Sequence, residues 1–169
     1  MAYAKATVRG DKEIIANIRR AMNSVGGREL DRNIGQSMAP MKEQTQENAK
    51  ALRNFVGKYP DFFPQPTKAR RGGHLDEGVR VAKHDSRGMF YREFWLAFGK
   101  RSRKIAHLVE FGTLPHFQPN FKGGFHHPGA EAHPFARPAF EATKEEVVDE
   151  FGRNLWSQIS GSLIGSFRR

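Results

Sequence analysis

Two short segments decide the predicted fold of this chain: Ile105-Ala-His-Leu-Val-Glu-Phe-Gly-Thr113 and His133-Pro-Phe-Ala-Arg-Pro-Ala139. The first is an apolar run that ends at a glycine, and its length suits either a short helix or a buried strand. In the second, each proline fixes its own φ and restricts the preceding residue. This predicts extended backbone at His133 and Arg137 and a helix with Pro138 near its start. The pair therefore predicts fixed ends on either side of a long loop.

The N-terminal region is predicted to be mostly helical, after a short strand at residues 4–9. Apolar residues recur there at helical spacing in two stripes, which are Ile14, Ile15, Ile18, Met22 and Val25, and then Leu30, Ile34, Met38, Met41, Leu52 and Val56. Gly26-Gly27 separates the stripes, and Pro40 is expected to kink or split the second helix. Isoleucine and methionine at this spacing are typical of a core, so both stripes are predicted to be core.

Two strands and a final helix are predicted further along the chain. Val79 and Val81 alternate with charged residues, residues 84–88 have turn composition, and residues 89–98 are β-prone. In that second strand Tyr91 and Trp95 face one side, which is either covered by another element or a contact surface. The last helix is expected to end at Gly161. Its predicted apolar face is Phe140, Val147, Val148, Phe151, Leu155, Trp156 and Ile159.

Two long segments have no helical or strand period. Residues 57–73 hold several prolines and the aromatic pair Phe62 and Phe63, which is typical of a loop with an apolar tip. The segment between the two motifs contains Phe117, Phe121 and Phe125 among prolines and glycines. Structureless loops of more than about 12–15 residues are uncommon in compact domains and are usually functional or disordered. We interpret residues 114–132 as a contact arm.

The chain is strongly basic, with 28 Lys and Arg against 18 Asp and Glu, for a net charge of +10. Candidate contact arginines lie in short basic runs: Arg70, Arg71, Arg101 and Arg103. Such runs either neutralise phosphates of a nucleic acid or dock an acidic protein partner. No helix-turn-helix, zinc-finger or RNA-binding aromatic motif accompanies them. No cysteine is present, and no apolar run is long enough to span a bilayer, so we expect a soluble protein made in the cytosol.

The sequence offers little support for an enzyme. His116, His126, His127 and His133 form the nearest approach to a ligand cluster, but their spacing does not fit a rigid metal site. The carboxylates are scattered, and Glu110 is interpreted as an edge carboxylate or part of a subunit salt bridge. No segment fits a phosphate-binding loop. We therefore expect no catalytic residue, metal or cofactor.

The order of motifs resembles the head–tail joining or tail-completion proteins of long-tailed bacteriophages. The resemblance is carried by Gly73-His-Leu75, by Ala106-His-Leu-Val-Glu-Phe-Gly-Thr113 and by Pro134-Phe-Ala-Arg-Pro-Ala139, which opens the final helix. It covers most of the chain, from about Leu30 to Ile159. Gly72 stands where that family usually has threonine, and the loop between the last two motifs is longer.

The resemblance implies a structural virion protein similar to the tail terminators, which form a hexameric ring that caps the tail tube. Implied partners are further copies of the chain, the tail tube protein and the head connector or stopper, with DNA passing through the lumen. It implies one α+β domain over residues 1–169, with a small, mostly antiparallel sheet, a long C-terminal helix and loop excursions at 57–73 and 113–133. The alternatives are a basic nucleic-acid-binding protein of phage DNA metabolism, or a stopper or adaptor ring of the connector.

Overall fold

The computed structural model describes residues 11–52, 75–88, 90–100, 102–119 and 123–167. These residues form helices and two separate two-stranded antiparallel sheets, which confirms the α+β class. The helices are α1 (Asp11–Val25), α2 (Gly27–Ser37), α3 (Ala39–Ala51), α4 (Arg103–Phe111) and α5 (Ala136–Phe167). The strands are β1 (Val79–Arg87), β2 (Tyr91–Phe98), β3 (His116–Gln118) and β4 (Phe125–His127). The strand predicted at residues 4–9, the loop predicted at 57–73 and Val56 lie outside the described residues.

The N-terminal helical region is interrupted at the two places where Gly26-Gly27 and Pro40 predict a break. Gly26 separates α1 from α2, and Gly27 has a φ of +60°, a backbone conformation that glycine adopts without steric cost. Met38 separates α2 from α3, and Pro40 lies in the first turn of α3. Proline is tolerated there because the first N–H groups of a helix have no partner within the helix. The predicted split at Pro40 is therefore confirmed.

Strands β1 and β2 form the first sheet, with Val79 opposite Phe98 and Arg87 opposite Tyr91. The turn predicted at residues 84–88 is wrong in position, because β1 continues to Arg87. A β-bulge between Lys83 and Asp85 absorbs one extra residue, so that pairing resumes beyond it. Gly88, with a φ of +64°, then supplies the reversal.

An ion-pair network fixes the first sheet to α2. The Asp31 carboxylate accepts a hydrogen bond from Lys83 Nζ at 2.8 Å and another from Arg92 Nε at 2.5 Å. The hydrogen bond from Lys83 is the main reason that the pKa of Asp31 lies below its usual value, and the bond from Arg92 lowers it further. The Arg92 side chain is only 6% exposed and also donates to the Gly88 carbonyl oxygen. One carboxylate thus links α2 to both strands.

The core lies where α3, α4 and the start of α5 meet the sheet. Its buried members are Ala49, Leu75, Ala106, Val109 and Phe135. The Phe135 ring is 1% exposed and packs edge-on against Phe98, with ring centroids 5.6 Å apart. The segment that suited either a helix or a strand is a helix, α4, and Ala106 and Val109 face the core from it.

Helix α5 packs against α1, α2 and α3. Two predictions about it are wrong. It continues through Gly161 to Phe167, because its second half packs on other helices, which offsets the roughly 1 kcal/mol cost of an interior glycine. The predicted apolar face also spans more than one side of the helix, since Phe140, Val148 and Trp156 are 48%, 67% and 70% exposed. Because successive residues turn by about 100° around the helix axis, side chains eight residues apart do not point in the same direction.

The first apolar stripe is also not a core. Four large side chains of α1 are roughly half exposed: Ile14, Ile15, Ile18 and Met22. In the second stripe Leu30, Met38 and Met41 are buried, so the prediction is confirmed for these three residues, while Ile34 and Leu52 are half-buried. Periodicity indicates which residues share a face, but not whether the rest of the chain covers it. Within the described residues, no helix is both long and apolar enough to cross a membrane.

Candidate functional site

A single carboxylate joins the two sequence motifs, Ile105–Thr113 and His133–Ala139. Glu110, at the end of α4, accepts hydrogen bonds from the backbone N–H groups of Phe135 at 2.8 Å, Ala136 at 2.9 Å and Arg137 at 2.9 Å. A helix leaves its first four N–H groups without internal partners. Here three of the four donate to Glu110, and the fourth position is Pro138, which has no N–H. The side chain thus completes the start of α5 from another helix.

This cap corrects two predictions from the sequence. Glu110 is not an edge carboxylate, because it is 9% exposed and accepts three backbone bonds at the start of α5; the alternative of a salt bridge between subunits stays a prediction. Arg137 is helical rather than extended, because its N–H points at the Glu110 carboxylate together with its two neighbours. Pro138 is the third residue of α5, which confirms its predicted place near the helix start. A negative charge at this end also matches the helix dipole.

Close backbone contacts fix the base of the arm between the two motifs. Thr113 and Ala130 exchange backbone hydrogen bonds of 2.9 Å and 3.0 Å. Gly112 has a φ of +69°, and a Cβ added there would lie 2.5 Å from the Ala130 carbonyl oxygen. Gly129 has a φ of +90°, and a Cβ there would lie 2.5 Å from the Thr113 carbonyl oxygen. Glycine is therefore required on both sides of the base.

The arm is partly regular, contrary to the prediction that it has no regular structure. Strands β3 and β4 pair within it, with His116 opposite His127 and Phe117 opposite His126. The His116 and His127 rings stack with centroids 5.0 Å apart, and Phe117 lies 4.9 Å from His126. These cross-strand ring contacts explain how a hairpin of only three residues per strand forms.

The arm presents apolar surface to solvent. Phe117 is 53% exposed and Phe125 is 44% exposed, while Leu114 near the base is 83% exposed. Phe121, the third candidate contact of the arm, lies outside the described residues. Exposed apolar side chains on a projecting hairpin are typical of a surface that a partner covers.

The histidines of the arm are used for packing and local hydrogen bonds. His127 Nδ1 accepts a bond from the Gly129 N–H at 3.0 Å, and His116 Nδ1 lies 2.9 Å from the Leu114 carbonyl oxygen. In the described ranges, no group of three or more His, Cys, Asp or Glu side chains is placed to hold a metal ion.

The first sheet presents a second, separate aromatic surface. Tyr91 is 48% and Trp95 50% exposed, so no described element covers this face of β2. The Trp95 ring stacks on His84 at 3.5 Å, and its Nε1 donates to Glu93 at 2.7 Å. The Arg87 guanidinium lies 5.5 Å from the centre of the Tyr91 ring. These contacts hold the exposed rings in place.

Charges on this face are coupled to the aromatic side chains. The hydrogen bond from Trp95, together with His84, lowers the pKa of Glu93 below its usual value. The negative charge of Glu93 in turn raises the pKa of Tyr91. The Tyr91 hydroxyl also donates a hydrogen bond to Glu93 at 3.4 Å.

The basic and loop candidates fall largely outside the described residues. Arg103, at the start of α4, is described and exposed. Those not described are Phe62, Phe63, Arg70, Arg71 and Arg101. The structure therefore places two candidate surfaces: the arm, with Phe117 and Phe125, and the sheet face, with Tyr91 and Trp95.

Comparison with known proteins gives no identification. No protein-family model matches the chain, and no curated protein or solved structure does so.

Proposed function

We propose that this chain is a structural subunit of a phage neck, a tail-terminator or tail-completion protein whose ring caps the tail tube and joins it to the head connector. The observation that carries the proposal is the Glu110 cap. It unites the two motifs of the resemblance, Ala106–Thr113 and Pro134–Ala139, into one unit that frames a projecting arm. The motifs thus support a scaffold role.

The arm and the sheet face suit the contacts of a closed ring. A ring needs two different surfaces on each subunit, which meet head to tail. The arm offers Phe117 and Phe125 on a two-stranded hairpin. The sheet face offers Tyr91 and Trp95, and Trp95 is held by His84 and Glu93. Tyrosine, tryptophan and arginine are the residues most enriched at the energetic centres of interfaces.

The net charge of +10 supports an acidic neighbour in the tail or connector. A strongly attractive lumen would hinder the passage of DNA, so in this proposal the basic surface faces protein and DNA passes without specific binding. The same charge favours the second candidate function, a nucleic-acid-binding protein. Binding of that kind is electrostatic and falls steeply with salt.

Light scattering and negative-stain electron microscopy of the purified protein test the proposal. Both measurements are made on the protein alone and again after tail tubes are added. We expect rings, either alone or on the ends of tail tubes. The nucleic-acid alternative would be supported instead if the protein stays monomeric with and without tail tubes. It would then also have to bind DNA at micromolar or lower concentration, with a steep salt dependence.

A further inference from the structure

Helix α1 carries its large apolar side chains outward although it packs against α5. Ile14 is 58% exposed, Ile15 48%, Ile18 51% and Met22 46%. The less exposed positions of the helix are Ala16, Asn17, Ala21, Ser24 and Val25. We call the outward set, together with Arg19, the α1 surface. Four half-exposed apolar side chains on one helix form a surface that a partner would desolvate favourably.

Helix α5 carries a second outward surface with a different composition. Val148 is 67% and Trp156 70% exposed. Residues 145, 148, 149, 152 and 156 share one side of the helix, because side chains three and four apart are neighbours. We call Glu145, Val148, Asp149, Gly152 and Trp156 the α5 surface.

Gly152 leaves a notch in the middle of the α5 surface. A Cβ added there would meet nothing within 4 Å, so packing within the described chain does not require glycine. Glycine inside a helix is also destabilising relative to alanine. The notch between Val148 and Trp156 is the right place for an apolar side chain of a partner helix.

The two surfaces carry opposite charges. Inside the subunit, Asp149 also attracts the nearby Arg153, which is paired mainly with Glu150. Arg19 lies beside Ile15 and Met22 on α1, and Glu145 and Asp149 lie one turn apart on α5. All three are exposed, and within the described residues none of them forms an ion pair. A guanidinium with five donors can bridge two carboxylates at this spacing.

We propose that the α1 surface of one copy docks on the α5 surface of a second copy of this chain. The inference rests on the proposed ring assembly and names the helix faces that form its subunit contact. The opposite charges and the different surfaces suit a head-to-tail contact, which is the kind a closed ring requires. A nucleic acid fits less well, because its phosphates would be repelled by Glu145 and Asp149.

The size of the helix sets how much of the interface this contact supplies. With 15 residues, α1 is about 22 Å long and about 10 Å wide, so its face covers about 220 Å². Stable interfaces bury about 800 Å² on each partner. The helix contact is therefore one part of a larger interface, to which the arm and the sheet face also contribute.

Charge reversal with remixing tests the contact. Arg19→Glu alone should weaken self-association by roughly tenfold or more in sedimentation velocity, and so should Glu145→Lys combined with Asp149→Lys. Mixing the two variants should restore assembly, because each then finds an opposite charge. The matched controls are Arg20→Glu for the single change and Glu43→Lys combined with Glu47→Lys for the double change. They make the same charge changes at exposed positions outside the two surfaces.

Disulfide trapping gives a second measurement, since the chain has no cysteine. Ile18→Cys combined with Val148→Cys should give intermolecular disulfides and a ladder of oligomers on oxidation, whereas either change alone should not give a ladder. The inference is overturned if the reversed variants associate like wild type, if mixing does not restore assembly, or if no ladder forms at the highest soluble concentration.

The same experiments separate this inference from the proposed function. Rings that form equally well in the reversed variants would overturn the helix contact and leave the neck role standing. Assembly that follows the charge-reversal pattern but stops at a two-fold dimer, with no ring on tail tubes, would support the helix contact and contradict the neck role.

Discussion

Replacing Glu110 with alanine should destabilise the fold by about 2–6 kcal/mol. The substitution removes the acceptor of three backbone N–H groups. Phe135 is 1% exposed, so its N–H would be left unsatisfied, at about 1–3 kcal/mol. The N–H groups of Ala136 and Arg137 are nearer to solvent and should cost about 0.5–1.5 kcal/mol each, because water can replace the carboxylate in part.

A glutamine at the same position should cost less, at about 1–2 kcal/mol. One carboxylate oxygen, Oε2, accepts the bonds from Phe135 and Ala136. The carbonyl oxygen of glutamine can keep both of these bonds. Its amide NH₂ would then face the Arg137 N–H, so two hydrogen-bond donors would oppose each other. The negative charge that stabilises the positive end of the helix dipole would also be lost.

Urea unfolding followed by far-ultraviolet circular dichroism measures both changes. We expect a lower midpoint with an unchanged slope, since the cap alters stability rather than the surface exposed on unfolding. A loss of about 3 kcal/mol corresponds to a fall of about 6–12 °C in Tm for a chain of this size. The control is Glu146→Ala, an exposed change on α5 expected to stay within about 0.5 kcal/mol of wild type. If Glu110→Ala matched that control, the cap would not be stabilising.

Three further changes probe other parts of the molecule. Asp31→Asn should lower the free energy of unfolding by about 1–3 kcal/mol at pH 7. Because the pKa of Asp31 is lowered in the folded protein, the stability that it contributes is present above about pH 4 and is lost as the pH falls through the folded pKa. Urea titrations of the mutant and the wild type should therefore converge in acid. Phe135→Ala should cost about 3–5 kcal/mol, since the ring is buried, and a nearly unchanged Tm would contradict that. Deletion of Pro119–Pro128 should leave a folded domain by thermal melting, because the base of the arm is retained, but abolish ring formation; loss of the folded state would show that the arm belongs to the core.

Local signals in the sequence predicted the boundaries of most elements. Gly26 and Pro40 act through the backbone of their own helix, so their effect is visible without the rest of the fold. The alternation at Val79 and Val81 likewise predicted β1. The β-bulge moved the turn because pairing with β2, a tertiary contact, decides where β1 ends.

Burial and long-range hydrogen bonds could not be predicted in the same way. The α1 stripe has the spacing of a core, yet the fold leaves Ile14 and Ile18 half exposed. Glu110 lies 25 residues before its first partner, Phe135, so no local pattern connects them. The one available signal was the proline-led helix start at residues 134–138, which has no serine, threonine, aspartate or asparagine of its own to cap it. Within the candidate surfaces, the exposed aromatic residues Tyr91 and Trp95 were predicted, but the stacking of His84 on Trp95 is a contact between two strands that the sequence did not predict.

The closed base of the arm makes the segment between Thr113 and Gly129 exchangeable. Its ends are fixed by backbone bonds and glycines, and Glu110 secures the following helix without using any residue of the arm. Doubling the length of a loop costs only about 0.6 kcal/mol in closure entropy. A hairpin of different length or composition could therefore be grafted between the same two residues, and the recognition properties of the chain could be changed while its scaffold stays intact.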